Sequence, residues 1–236
     1  MNDVHRLDWA VGFLRNEIQR GFVFAMITIY GGSTTRSFRV LWLLEEMGLP
    51  YTLRRVDLLH RRDDAEFLKV NPAGFLPAME DGGVAMVESI AIMEYLVARY
   101  GPTDLAPLAR DAAFPLYQQF LHLGEAGMAT CLNIVVASKY FAPEAERDNW
   151  GARQAIQMFL NRLTLVSQRL EEVPYLAGEA FTAADISVCY ALELGSAMGA
   201  CEEYSAAVKS YLERLRDREA FQRARKSQLR SAGAET

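Results

Sequence analysis

Between residues 26 and 100 the spacing of apolar positions changes several times. Ile27-Thr-Ile-Tyr30 is a β-branched run and predicts a short strand. Gly31-Gly-Ser-Thr-Thr35 reads as a turn. Phe38, Leu41, Trp42 and Leu44 then recur at helical steps and predict a helix over Arg36–Met47. Gly48 and Pro50 are the stop signals expected just past a helix end. Tyr51–Val56 predicts a second strand and Arg61–Lys69 a short polar helix. Pro77–Met79 and Val84–Met86 predict a hairpin around Asp81-Gly-Gly83, and Ser89–Tyr100 another helix.

The order βαβαββα predicts an α/β, thioredoxin-like layer over residues 26–102, a mixed four-stranded sheet with helices on its faces. Gly101-Pro-Thr-Asp-Leu-Ala-Pro107 reads as a linker. Past it only the helical period survives, over Phe114–Val136, Glu144–Glu171, Ala183–Gly199 and Ala206–Ala224. Residues 108–236 are therefore expected to form an all-α bundle domain. Phe181-Thr-Ala-Ala-Asp185 is a capping box with an apolar staple, a structural device. At the other end, Val11, Leu14 and Ile18 share a helical face that Gly12 and Gly21 weaken. Residues 1–25 are expected to be an extension outside the fold.

Composition narrows the partners. The formal net charge is −5, and the only Lys/Arg cluster is the solvated tail Arg223–Arg230, which argues against nucleic acid. Cys131, Cys189 and Cys201 are odd in number and lack ligand spacing, so they read as reduced thiols and no metal site is expected. No run approaches the roughly 18 apolar residues of a membrane helix. Asp3, Asp8 and Glu17 interrupt any signal-peptide shape. A cytoplasmic protein without a membrane partner is expected.

The chemistry gathers in Asn71-Pro-Ala-Gly-Phe-Leu-Pro-Ala-Met79 and Glu88-Ser89. Pro77 cannot donate a ladder hydrogen bond and belongs at a strand edge or start; its peptide bond can be cis. The main-chain groups of Leu76 can there pair with an added extended peptide. Ser89 is placed as an N-cap, so its hydroxyl and the helix N–H groups can take a carboxylate, while Glu88 takes an ammonium. Alone, each piece is a turn or a cap. Together they suit a small zwitterionic peptide.

This Asn-Pro…Pro…Glu-Ser pattern resembles the glutathione-binding half of the cytosolic glutathione transferases. The resemblance runs from about Met26 to Ala224. Pro174-Tyr-Leu-Ala-Gly178 with the capping box is similar to the family's C-terminal core motif. Tyr211–Phe221 is similar to its closing motif, with Glu219 where proline is common. The resemblance implies glutathione as co-substrate, conjugated to a small hydrophobic electrophile by an enzyme of the bacterial serine/threonine-like type, and a homodimer. It leaves open a glutathione-dependent lyase, dehalogenase, isomerase or peroxidase. A non-catalytic binding module is also open, though retention of Leu76-Pro77 and Glu88-Ser89 opposes it.

Such an enzyme must ionise a thiol of pKa near 8.5 at neutral pH. Two units of depression need roughly 3 kcal/mol, the scale of one or two hydrogen bonds to a charged acceptor. By the resemblance, Thr35 falls where serine-type relatives hold the thiolate and Tyr30 where tyrosine-type relatives do. Thr34 and Ser33 remain alternatives to Thr35, and Arg36 can assist. The turn has no cysteine, which disfavours exchange through an enzyme-bound disulfide. The resemblance assigns Leu76, Pro77, Glu88 and Ser89 to glutathione. Phe75 stands where many relatives have a lysine for the glycyl carboxylate, so Arg62 is the expected substitute, ahead of His60 and Arg61. The acceptor pocket is expected from Tyr117, Phe120, Leu121, His122, Glu125 and Met128, which recur at helical steps.

Overall fold

A computed structural model describes residues 26–32 and 34–229. The expected extension over residues 1–25, and Ser33, lie outside the described residues. Strands β1 (Ile27–Gly31), β2 (Tyr51–Arg55), β3 (Ala78–Asp81) and β4 (Val84–Val87) form one sheet in the order β2-β1-β3-β4. β1 is parallel to β2 and antiparallel to β3, and β3 and β4 form the expected hairpin. Helices α1 (Ser37–Met47), α2 (Ala65–Val70) and α3 (Ser89–Tyr100) complete the predicted order. This is the thioredoxin-like arrangement.

Alternation along β1 sorts the two faces. Tyr30 joins Val56, Phe67, Leu76 and Ala78 in a buried cluster under α2. Gly31, its neighbour, faces α1 so closely that a Cβ there would lie 2.5 Å from the Ser37 Cβ. Gly48, in the left-handed region at φ 66°, ends α1 as the stop signal predicted.

The remaining helices are α4 (Phe114–Tyr140), α5 (Trp150–Glu172), α6 (Ala183–Ala197), α7 (Ala206–Arg216) and α8 (Glu219–Leu229). α4 is long and apolar enough to cross a membrane by length and composition, a length the apolar runs alone did not predict. Leu121, Met128 and Leu132 on it are fully buried. Its middle, Leu123–Ala129, widens to a π-helix where Gly124 meets α6. A Cβ on Gly124 would lie 2.4 Å from the Ser187 Oγ, which donates to the Leu121 carbonyl at 2.7 Å. The predicted capping box forms over Thr182 and Asp185 at the start of α6.

Two expectations are corrected. The helix placed over Glu144–Glu171 starts at Trp150, because the Asn149 side chain accepts from the Ala152 N–H at 3.0 Å and caps it there. The helix placed over Ala206–Ala224 is two, α7 and α8, broken at Asp217–Arg218. The described residues also divide into two compact units. One holds the described residues up to Ile92 together with those from Glu219 on; the other is Met93–Arg218. α8 joins the sheet because Phe221 packs edge-on against Phe38 at 5.1 Å and Trp42 at 4.9 Å. Arg223 adds an ion pair to Glu45 at 2.7 Å, and Arg55 donates to the carbonyls of Ser227 and Gln228 at the end of α8.

Candidate active site

The turn between β1 and α1 is built on close backbone approach. A Cβ on Gly32 would lie 2.9 Å from the Val56 carbonyl oxygen, so the residue must be glycine. Thr34 is exposed and takes the left-handed φ of 60°. Thr35 is 7 % exposed. Its Oγ1 donates to the Gly32 carbonyl at 2.8 Å, receives the Gly32 N–H at 3.3 Å and lies 2.7 Å from the Ser37 Oγ. Arg36 occupies the N-cap position of α1 with helical backbone angles, and no side chain caps the helix. In this first turn the Phe38 and Arg39 N–H groups donate to the Thr35 and Arg36 carbonyls at 3.1 and 3.2 Å.

Tyr30 has other work. Its hydroxyl donates to Glu80 Oε2 at 2.5 Å, and its ring packs against Phe67 on the α2 face. Burial first, then the hydrogen bond to Glu80, pushes its pKa up to about 12. In this structure the Tyr30 hydroxyl is therefore engaged by Glu80.

The peptide-binding edge is shaped by Asn71. Its Nδ2 donates to the Phe75 carbonyl at 2.7 Å, and its Oδ1 receives the Ala73 N–H at 3.1 Å. The loop so formed delivers Leu76 to β3. The ladders of β3 with both neighbours begin at Ala78, so the peptide groups of Leu76 lie just beyond them. The Leu76–Pro77 bond is cis. The Leu76 side chain reaches the β1–α1 turn, 3.6 Å from where a Gly32 Cβ would sit.

At the start of α3 the expected capping is shifted by one residue. Glu88, not Ser89, holds the N-cap place, its carbonyl accepting from the Ile92 N–H at 2.9 Å. Glu88 is exposed and held at φ 70°, a conformation costing on the order of 1–3 kcal/mol for a non-glycine residue. Ser89 is buried, and its Oγ receives the Arg39 Nη1 at 3.3 Å. Arg39, wholly buried, ties α1 to the Glu88-Ser89 corner.

The basic loop divides its duties. Arg61 donates to the Gly74 and Leu58 carbonyls, whereas Arg62 is exposed with its guanidinium 3.3 Å from where a Gly74 Cβ would sit. Phe75 is 39 % exposed. In the helical unit, Leu121 and Met128 have no exposed surface, Phe120 only 2 % and Tyr117 only 3 %, so these four are core rather than pocket residues. His122 and Glu125 keep accessible side chains, and His122 Nε2 lies 3.3 Å from Glu94 Oε1. Burial, then the Glu94 charge, pushes the Tyr117 pKa up to about 12.

Sequence reasoning missed Arg39, Ser37 and Gln228. The last had a signal. Ala220, Phe221, Ala224 and Gln228 form the buried stripe of α8, so a polar side chain stands at a core position.

A thioredoxin-like unit with a hydroxyl-bearing turn at a helix start, a peptide edge and an acidic corner defines a protein that binds a small thiol peptide. Residues 35–99 match the family described as the N-terminal domain of glutathione S-transferase. The chain is 30 % identical to glutathione S-transferase 3 of Schizosaccharomyces pombe over 70 % of its own length and 72 % of the relative's. It is 30 % identical to the disulfide-bond oxidoreductase YfcG of Escherichia coli, over 83 % of its length and 92 % of that protein. The crystal structure of a glutathione transferase from Methylococcus capsulatus superposes with a TM-score of 0.73 at 25 % identity, covering 86 % of this chain and 98 % of that one. The chain belongs to the glutathione S-transferase family.

Proposed function

We propose that this protein is a glutathione transferase of the serine/threonine-like type, with Thr35 presenting its hydroxyl to the glutathione sulfur. Glutathione is the co-substrate. The carrying observation is the Thr35 hydroxyl at the start of a helix that no side chain caps. Main-chain groups of Leu76 pair with the cysteinyl unit, and Glu88 and Ser89 take the γ-glutamyl end. Thr34 and Arg36 flank the sulfur, and Arg62, with its exposed guanidinium, takes the glycyl carboxylate. Ionising the thiol at the helix terminus moves its proton to solvent and leaves a nucleophile that attacks a small hydrophobic electrophile. His122 and Glu125 are the acceptor-side residues in this reading. Residues 26–102 and 108–236 supply these two halves of the chemistry, in a cytoplasmic homodimer. Sedimentation at twice the 26.5 kDa chain mass is expected; a single chain at micromolar concentration would oppose the dimer.

The test is retention on immobilised glutathione, followed by turnover against an aryl halide, a peroxide, an aryl ether and a low-molecular-weight disulfide. Conjugation of the aryl halide is the expected outcome. Retention with turnover of only one of the other three would reassign the reaction, and retention without turnover would make the protein a binding module.

A further inference from the structure

The last helix reaches under the thiolate turn with one side chain. Gln228 is 1 % exposed. Its Nε2 donates to the Gly32 carbonyl at 3.0 Å and the Thr35 carbonyl at 3.1 Å, and lies 3.4 Å from the Ser37 Oγ. Two carbonyl acceptors fix which end of the amide is nitrogen. Its Oε1 is buried with no hydrogen-bond partner among the described residues. An unpaired buried acceptor is costly, and an apolar side chain of similar length would avoid that cost. The amide is therefore held there for what its nitrogen does.

We propose that Gln228 is a positioning residue for the thiolate turn, holding the Gly32 carbonyl so that Thr35 can turn its proton from that carbonyl to the glutathione sulfur. The inference rests on the reading of Thr35 as donor. Thr35 has one hydroxyl proton, and at present it goes to the Gly32 oxygen at 2.8 Å. Giving it to a thiolate would leave a buried carbonyl short of a donor, an expense set against every turnover. Gln228 removes that expense, and the Ser37 Oγ, 3.3 Å from the same oxygen, is a second donor. Thr35 Oγ1 meanwhile keeps the Gly32 N–H as its own donor at 3.3 Å. No bond is made or broken by Gln228; it offsets the loss of a hydrogen bond in the ground state. Arg55, by holding the carbonyls of residues 227 and 228, sets the height of the amide under the turn.

The test compares Gln228→Met, which fills the space without the donor, with Phe221→Leu, which loosens α8 elsewhere. The readouts are the titration of the bound glutathione thiol by ultraviolet absorbance and the pH profile of kcat/KM. Gln228→Met is expected to melt within a few degrees of the parent and keep KM for glutathione within about threefold. Its thiol pKa should rise by about one unit, a roughly threefold loss of kcat/KM at neutral pH that grows to about tenfold at lower pH and is recovered at high pH. Phe221→Leu should lower the melting temperature and leave the thiol pKa in place. An unchanged pKa in Gln228→Met, or an equal rise in Phe221→Leu, overturns the inference. If Gln228→Met does not fold, the Gln228 side-chain amide resonances of the parent decide: they should shift on adding glutathione, and their indifference overturns it. A parent with no depressed thiol pKa defeats the reading of the turn instead, so the two failures are distinct.

Discussion

Replacing Thr35 by valine removes a hydroxyl at constant shape, and the structure allows its effects on stability and on chemistry to be separated. For stability, the lost donor served the Gly32 carbonyl at 2.8 Å, but Gln228 Nε2 and the Ser37 Oγ lie at 3.0 and 3.3 Å from the same oxygen. The carbonyl stays satisfied. The Gly32 N–H and the Ser37 hydroxyl each lose one partner, so the cost should sit near the ~1 kcal/mol of a single net hydrogen bond. For the chemistry, a hydrogen bond to a charged acceptor is worth about 1.5–3 kcal/mol. At ~1.4 kcal/mol per unit, the pKa of the bound thiol should rise by about one to two units. Turnover at neutral pH should fall roughly three- to 25-fold, and Thr35→Ser should retain most of it. The assay is absorbance titration of the glutathione complex, with a thermal melt alongside. Tyr30→Phe is the control: it loses the hydrogen bond to Glu80 and should leave the thiol where it was. If Thr35→Val leaves the thiol pKa unchanged, the side-chain assignment fails; if Tyr30→Phe moves it instead, the donor is the phenol.

Two further outcomes follow from the corner at α3 and from the α6 capping box. Glu88→Gly should relieve the left-handed φ of 70° and hold or raise the melting temperature while weakening glutathione by about 1–3 kcal/mol in calorimetry; unchanged affinity would remove Glu88 from the site. Asp185 accepts from the Leu176 and Thr182 N–H groups, the Thr182 hydroxyl and the Tyr211 hydroxyl, all within 3.2 Å and wholly buried. Asp185→Ala leaves several buried donors unpaired and should cost about 3–5 kcal/mol in denaturant unfolding; a loss under ~1 kcal/mol would show that the helical unit repacks around it.

The sheet and α1 were legible because each signal was local. Ile27 to Tyr30 is β-branched and aromatic, Phe38 to Leu44 keeps a helical step, and Gly48 sits where only a left-handed residue closes the helix. The peptide corner was legible as residue types in order, but its geometry was not: Glu88 rather than Ser89 takes the cap place, at a φ of 70° that residue type does not announce. Tyr30 shows the same limit. Its position at the strand end fitted a catalytic phenol, and only the register Tyr30↔Ala78, with Glu80 two residues along β3, reveals where the hydroxyl goes. The break between α7 and α8 did leave a trace, since the buried stripe Val208, Tyr211, Leu212, Leu215 resumes out of step at Ala220 and Phe221. The contact that placed Gln228 under Gly32 spans 196 positions, beyond any local pattern.

That long-range closure has a consequence for how the protein is made. The sheet emerges from the ribosome first, with Phe38 and Trp42 lacking the ring of Phe221 that covers them in the finished unit. The whole of Met93–Arg218, 126 residues by subtraction, is translated before α8 follows. At about 5–20 residues per second, that interval is roughly 6–25 s. During it the nascent first unit presents an aromatic face with no partner of its own, the kind of surface that recruits chaperones or sticks to neighbouring chains.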